Sequence, residues 1–280
     1  MLRIITDTGS DIPYLKAGEL GIEIIALDIK FDDFPYDYRN DTDFGVFYEN
    51  LKRSKNLPTT SQVTPGQYLD IFNDAKEKGD EILVITISGG LSGTYSSAVT
   101  AKEMSEYDNI TIVDSVQCSI NLQMMVEHAV KLRDQGQSRD AIAEVLQELR
   151  GRMGFLVMLD TLTYLKKGGR VPPAMAFLGE MLSMKPIVTL NEEGKVEPIK
   201  KARGFEAGKR ALLEQFESTG YDADWPVYFG YTENEQRGEA FMQEGKGKYS
   251  LTECRLLPVG GVIGTHSGPN AIAIGYVRKQ

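Results

Sequence analysis

Short apolar runs of β character alternate with stretches of helical periodicity along the whole chain, and this alternation restricts the fold more than any other feature. Strand-then-helix repetition builds α/β domains, whereas all-β and all-α chains do not produce it. The strongest run is Glu81-Ile82-Leu83-Val84-Ile85-Thr86-Ile87, almost continuous in apolar side chains, as a parallel strand covered on both faces requires. Weaker runs stand at 4–6, 22–25, 26–31, 110–113, 155–159, 227–231, 254–257 and 271–277. Helical spacing fills the gaps at 43–52, 65–78, 94–107, 119–135, 138–153, 205–218 and 234–245. The best-marked helix start is Thr64-Pro65-Gly66-Gln67, with Thr at N-cap, Pro at N1 and Gln at N3, and Gly79 closes that helix. Asn191-Glu192-Glu193-Gly194 joins a run at 187–190 to one at 195–199, so the second half holds at least one antiparallel hairpin.

A chain of 280 residues suggests two domains, at roughly 100–200 residues each. The expected division is an N-terminal, mainly parallel α/β domain over 1–153 and a C-terminal α/β domain with a mixed sheet over 154–280. No flexible linker separates them, so the cleft where they abut is the expected ligand site. Hydrophobic residues at 41% supply two cores, and no apolar stretch is long enough to insert stably in a membrane. An acid, Asp7, interrupts the start before a signal-peptide run develops, and a cytoplasmic location is expected. The net charge of −9 argues against nucleic-acid binding, and it requires any anion site to be local. Two cysteines, Cys118 and Cys254, and two histidines, His128 and His266, form no ligand cluster; no metal or other cofactor is expected.

Four segments could carry chemistry. Ser88-Gly89-Gly90-Leu91-Ser92-Gly93-Thr94 lies between the buried strand and a helix, where free N–H groups and hydroxyls can hold an anion. The same residues also read as a glycine turn with a Ser92 or Thr94 cap. Pro58-Thr59-Thr60-Ser61-Gln62-Val63 is a hydroxyl-rich loop; capping explains Thr64 but not Thr60 or Ser61. Tyr164-Leu165-Lys166-Lys167-Gly168-Gly169-Arg170 ends one helix, Pro173 can begin another, and Arg170 stands on the corner. It suits an interdomain ion pair, a phosphate contact or plain solvation. Gly260-Gly261-Val262-Ile263-Gly264-Thr265-His266-Ser267-Gly268-Pro269 reads as a glycine-rich loop that carries His266 between Thr265 and Ser267, whereas His128 reads as structural. No GxGxxG or GxxxxGK[ST] pattern supports a nucleotide site.

In this order the four segments resemble the DegV family, whose PTTSQ-type, LSGTY-type, YLxKGGR and GTHxGP motifs they match over essentially the whole chain. Thr8, Gly89-Gly90 and Asn121 depart from the usual pattern, and none of these changes removes a candidate donor. The resemblance implies a two-domain α/β carrier that buries one long-chain fatty acid, such as palmitate, at the domain interface. It implies a carboxylate held by Thr60 and Ser92, with Ser61, Gly93, Thr265 and His266 nearby and Arg170 associated with phosphate or a partner. It further implies a non-enzymatic subunit that presents the acid to the ATP-binding subunit of a fatty acid kinase. A competing reading is a hydrolase or acyltransferase with Ser92 as nucleophile and His266 as base, although no GxSxG elbow and no orienting acid accompany them.

At about 0.8 kcal/mol per buried methylene, a tail of ~14 methylenes gains a gross ~11 kcal/mol. A few neutral hydrogen bonds, worth ~1 kcal/mol net each, set orientation rather than affinity. Phe155, Leu156, Met158, Met175, Phe177, Leu178, Met181 and Met184 are candidates for the tail's wall, although Ala174, Phe177, Leu178, Met181 and Leu182 share one helical face and most read equally as core.

Overall fold

The computed structural model describes residues 1–40, 44–171 and 183–279, and its fold is α/β. In the first half, β1 (Leu2–Asp7), β2 (Glu23–Ile25), β5 (Glu81–Thr86) and β6 (Ile110–Asp114) form a parallel sheet in the order β2-β1-β5-β6. Alternate side chains along these strands point to opposite faces, so each face needs its own cover. Ile5, Ile82 and Val84 pack on α3 (Pro65–Lys78) and α4 (Thr94–Ser105) through Tyr68, Phe72, Ala98 and Ala101. Ile4, Leu83 and Ile85 pack on α5 (Ser119–Asp134) and α6 (Arg139–Arg152) through Leu122, Met125, Ile142 and Leu146. Two shorter helices, α1 (Tyr14–Leu20) and α2 (Gly45–Arg53), accompany this half.

The second half is a mixed sheet, with the short helix α7 (Thr163–Lys167) after its first strand. Its strands are β7 (Met153–Met158), β8 (Met184–Leu190), β9 (Val196–Arg203), β10 (Val227–Tyr231), β11 (Cys254–Pro258) and β12 (Ile272–Val277), in the order β11-β10-β12-β7-β8-β9. Only the β10–β11 pair is parallel among the described pairings. One face packs on α8 (Phe205–Thr219) and α9 (Glu235–Tyr249), where Leu156, Met158, Phe216, Phe229, Phe241 and Ile274 close a core. On the opposite face α5 touches both sheets, β1 and β5 on one side and β10 and β12 on the other. Glycines make this close seating possible: a Cβ on Gly275 would overlap the Asn121 amide, and one on Gly230 would stand 3.4 Å from Ile120. Asn121 Nδ2 then donates to the Gly154 carbonyl of β7 at 3.1 Å.

Three sequence expectations change. The strand expected at 26–31 is β3 (Asp28–Lys30), and its antiparallel partner β4 (Thr59–Ser61) lies inside the segment read as a hydroxyl-rich loop. The glycine-rich segment expected to be a loop contains a helix, α10 (Gly261–Ser267). Its glycines serve packing: a Cβ on Gly261 or Gly264 would stand 2.6–2.7 Å from the Phe47 ring of α2. Helix α2 starts at Gly45, after Phe44 in the left-handed region at φ 61°; Asp43 lies outside the described residues. The helix that Pro173 was expected to begin, with Ala174, Met175, Phe177, Leu178, Met181 and Leu182, also lies outside them. Among the described residues, no helix is long and apolar enough to cross a membrane.

Candidate functional site

A cavity with about 940 Å³ of space free of protein atoms, its open mouth included, lies between the mixed sheet and a set of segments that includes β4 and the stretch after β5. Its wall is mostly apolar. Phe155, Val157 and Leu159 reach it from β7 and the residue beyond, Val188 and Leu190 from β8, and Ile272 and Ala273 from β12. Ile87, Leu91 and Ser92 reach it from the segment after β5, which is the carboxyl end of a parallel strand, where α/β folds bind ligands. Thr60, Ser61, Gln62, Arg170 and His266 supply polar wall beside Ser92.

The polar wall interlocks segments far apart in sequence. Gln62 Nε2 donates to Ser97 Oγ at 2.8 Å, and the Val63 N–H donates to Thr94 Oγ1 at 3.3 Å, so β4 is tied to the start of α4. Gly93 lets the Gln62 amide approach this closely, because a Cβ there would displace it. Ser92 Oγ pairs with Thr94 Oγ1 at 2.9 Å and accepts the Thr94 N–H at 3.3 Å. With Thr94 donating, the Ser92 hydrogen is free for an acceptor in the cavity.

Thr60 Oγ1 pairs with His266 Nε2 at 2.9 Å. His266 Nδ1 lies against Gly168, where a Cβ would overlap the ring, and it has no hydrogen-bond partner among the described residues. A bare ring nitrogen tolerates that position better than a buried N–H without an acceptor. On that ground the proton is assigned to Nε2, which donates to Thr60 and releases the threonine hydrogen toward the cavity. Burial, with Arg170 nearby, pushes the imidazolium down to about 4, so His266 is neutral at pH 7. Arg170 forms no ion pair with an acid among the described contacts. Its Nε donates to the Leu91 carbonyl at 3.1 Å and its Nη1 to the Gly168 carbonyl at 2.7 Å, which ties the KGGR corner to the Ser92 loop. Gly169 supplies the left-handed turn, at φ 69°, that makes the corner.

The arrangement offers an apolar hollow with uncharged hydroxyl donors at one end, beside the Arg170 guanidinium. It lacks the hydrogen bonds of a serine hydrolase: His266 Nε2 pairs with Thr60 rather than Ser92, and no acid orients Nδ1 among the described residues. Nor do three His, Cys, Asp or Glu side chains gather to hold a metal ion among those residues.

Comparison with known proteins places this architecture. The family described as "Uncharacterised protein, DegV family" matches residues 1–279. The chain belongs to the DegV family. A DegV domain-containing protein of Caldanaerobacter subterraneus subsp. tengcongensis is 30% identical over 279 residues, covering 99% of each chain. A DegV family protein of Thermus thermophilus, whose structure is described by its fatty acid binding, superposes with a TM-score of 0.86 at 31% identity over 99% of each chain. DegV of Bacillus subtilis, described as a fatty acid binding protein, gives a TM-score of 0.84 at 29% identity, again over 99% of each chain.

Of the residues singled out from the DegV motifs, Thr60, Ser61, Ser92, Arg170 and His266 stand together on the cavity wall. Gly93 and Thr265 are not on that wall. Gly93 caps α4, and Thr265 is buried with its hydroxyl donating to the Gly261 carbonyl of its own helix at 2.8 Å. Of the tail-wall candidates, Phe155 lines the cavity, whereas Leu156 and Met158 point into the opposite core, as strand alternation requires. Met184, which begins β8, is not on the wall. Residues that sequence reasoning missed include Gln62 and Gly168. Both stood inside quoted motifs, but their partners, Ser97 and His266, are set by tertiary contacts.

Proposed function

We propose that this DegV chain holds one long-chain fatty acid, with its carboxylate at Thr60 and Ser92 and its tail in the cavity. In this reading it presents the carboxylate to the ATP-binding subunit of a fatty acid kinase, which makes the acyl phosphate, and the chain itself is a carrier. The division into domains at 153/154, one residue into β7, is part of the same proposal and puts the cavity at the interface. The observation that carries it is the pairing of an apolar hollow with two hydroxyls whose hydrogens are free to turn inward. The fatty acid binding named for the Thermus thermophilus and Bacillus subtilis relatives supports it. The kinase partner rests on the motif resemblance and on the placement of Arg170, exposed at the cavity wall, within reach of a docked partner or a transferred phosphate.

Uncharged donors orient a carboxylate without neutralising it, so it keeps the electron density needed to attack phosphorus. A bidentate guanidinium would withdraw that density. Organic-solvent extraction of the purified protein, read by mass spectrometry, is expected to release about one fatty acid per chain, as a tail contributing ~0.8 kcal/mol per methylene implies. A protein that yields no lipid and turns over a chromogenic acyl ester would instead be an esterase.

The double variant Thr60→Val, Ser92→Ala is expected to keep its lipid, because the tail dominates affinity. Phosphorylation by the partner should fall about 100-fold, the cost of losing orientation at the reacting group. Phosphorylation at the wild-type rate would rule out a role for the two hydroxyls.

A further inference from the structure

Besides the Arg170 contact with the Leu91 carbonyl, the loop that carries Ser92 is held from the second half of the molecule through the backbone of the β8–β9 turn. Ser88, fully buried, donates its hydroxyl to the Gly194 carbonyl at 2.9 Å and accepts the Gly90 N–H at 3.0 Å. One oxygen therefore ties the loop both to itself and to the β8–β9 turn. That turn is a stiff seat. Asn191 Oδ1 accepts the N–H groups of Glu193 and Lys195 at 3.1 and 3.0 Å, and the Gly194 N–H donates to the Asn191 carbonyl at 2.8 Å.

No side chain separates the two backbones. A Cβ on Gly90 would overlap the Glu193 carbonyl oxygen and stand 2.9 Å from the Gly194 carbonyl carbon. Gly90 has no positive φ, so the approach of the turn, not the loop's own conformation, requires glycine there. On the facing side, a Cβ on Gly194 would overlap Ser88 Oγ. Leu190 and Val196, which bracket the turn, line the same cavity as Leu91 and Ser92, so this seat lies at the cavity's edge.

We propose that the β8–β9 turn is the positioning element for the head-group loop: the contact of Glu193 and Gly194 with Ser88 and Gly90 sets where the Ser92 hydroxyl stands over the cavity. The inference rests on the carboxylate reading given above. The Leu91 and Ser92 N–H groups both donate to the Ser88 carbonyl, at 3.0 and 3.1 Å, so a shift of Ser88 or Gly90 carries directly to Ser92. The tail's wall on β7 and β12 has no part in this contact. A displaced Ser92 therefore loses its discrimination between a carboxylate and a neutral head while the tail stays bound.

The test is competition binding of palmitate against hexadecanol, which share a tail and differ in the head, on lipid-stripped full-length protein. The variants are Gly90→Ala, Ser88→Ala and Gly247→Ala, the last a control on α9 where a Cβ meets nothing within 4 Å. Wild type and Gly247→Ala are expected to prefer the acid by about 10-fold or more, the value of one hydrogen bond to a charged group. Gly90→Ala is expected to bring that preference to about 2-fold, and Ser88→Ala, which adds no volume, to lower it at least ~3-fold. Should Gly90→Ala not fold, Ser88→Ala decides alone. A wild-type preference that survives in the folded variants, or an equal weakening of acid and alcohol, overturns the inference but leaves the carboxylate reading standing. A wild type without preference for the acid overturns that reading and this inference together.

Discussion

Val157→Trp is expected to lower the affinity for palmitate about a thousandfold while leaving the fold intact. Val157 lies on β7 between Ala273 of β12 and Val188 of β8, and its half-buried side chain faces the cavity rather than the α8 and α9 core. An indole there enters empty space. A tail stopped short of it leaves about five methylenes unburied, at ~0.8 kcal/mol each, a loss of ~4 kcal/mol. Displacement of a fluorescent fatty acid measures the affinity, and circular dichroism checks the fold. Unchanged affinity would put the tail elsewhere. The same substitution one residue earlier, at Leu156, should instead destabilise the fold by about 1–3 kcal/mol, because that side chain faces a closed core.

The second large effect concerns two carboxyls beneath the site. Asp7 accepts the N–H groups of Gly9 and Ile87, both at 2.8 Å, and Asp11 accepts the Ser119 hydroxyl at 2.5 Å. Burial pushes both up to about 7, against hydrogen bonds that pull the other way. The folded chain therefore binds these protons more tightly than the unfolded chain does. The associated stability is full below about pH 4 and is lost as pH rises through about 7. A carboxyl moved from its ordinary 3.8 to about 7 carries a linkage free energy on the order of 4 kcal/mol. Asparagine cannot ionise, so the stability of Asp11→Asn relative to wild type should climb by about that amount between pH 4 and pH 8. Urea denaturation across this range measures it, and a pH-independent difference would contradict the buried-charge account.

Local sequence carries local structure, and the legible parts of this fold were of that kind. The capping box at Thr64 and Gln67, the buried strand β5 and the turn at Asn191 each announce themselves within a few residues, and the fold bears them out. Thr60 was legible as a hydroxyl but not as part of a strand, because β4 exists only through its pairing with Ile29, about thirty residues away. Helix α10 was hidden by its glycines, which disfavour a helix by ~1 kcal/mol each and are retained here for contact with Phe47 and Tyr48. Which side of β7 faces the cavity depends on register with β12 and β8, so Leu156 and Met158 could not be told from Phe155 and Val157. The partners of Arg170 are backbone carbonyls, which no charge pattern reveals.

A crystal structure of the complex with palmitate bears most directly on the central claim. Both carboxylate oxygens should lie about 2.6–3.2 Å from the hydroxyls of Thr60 and Ser92, with the chain running along Phe155, Val157 and Val188. A carboxylate paired with Arg170 while both hydroxyls turn away, or an acyl chain outside this cavity, would contradict it.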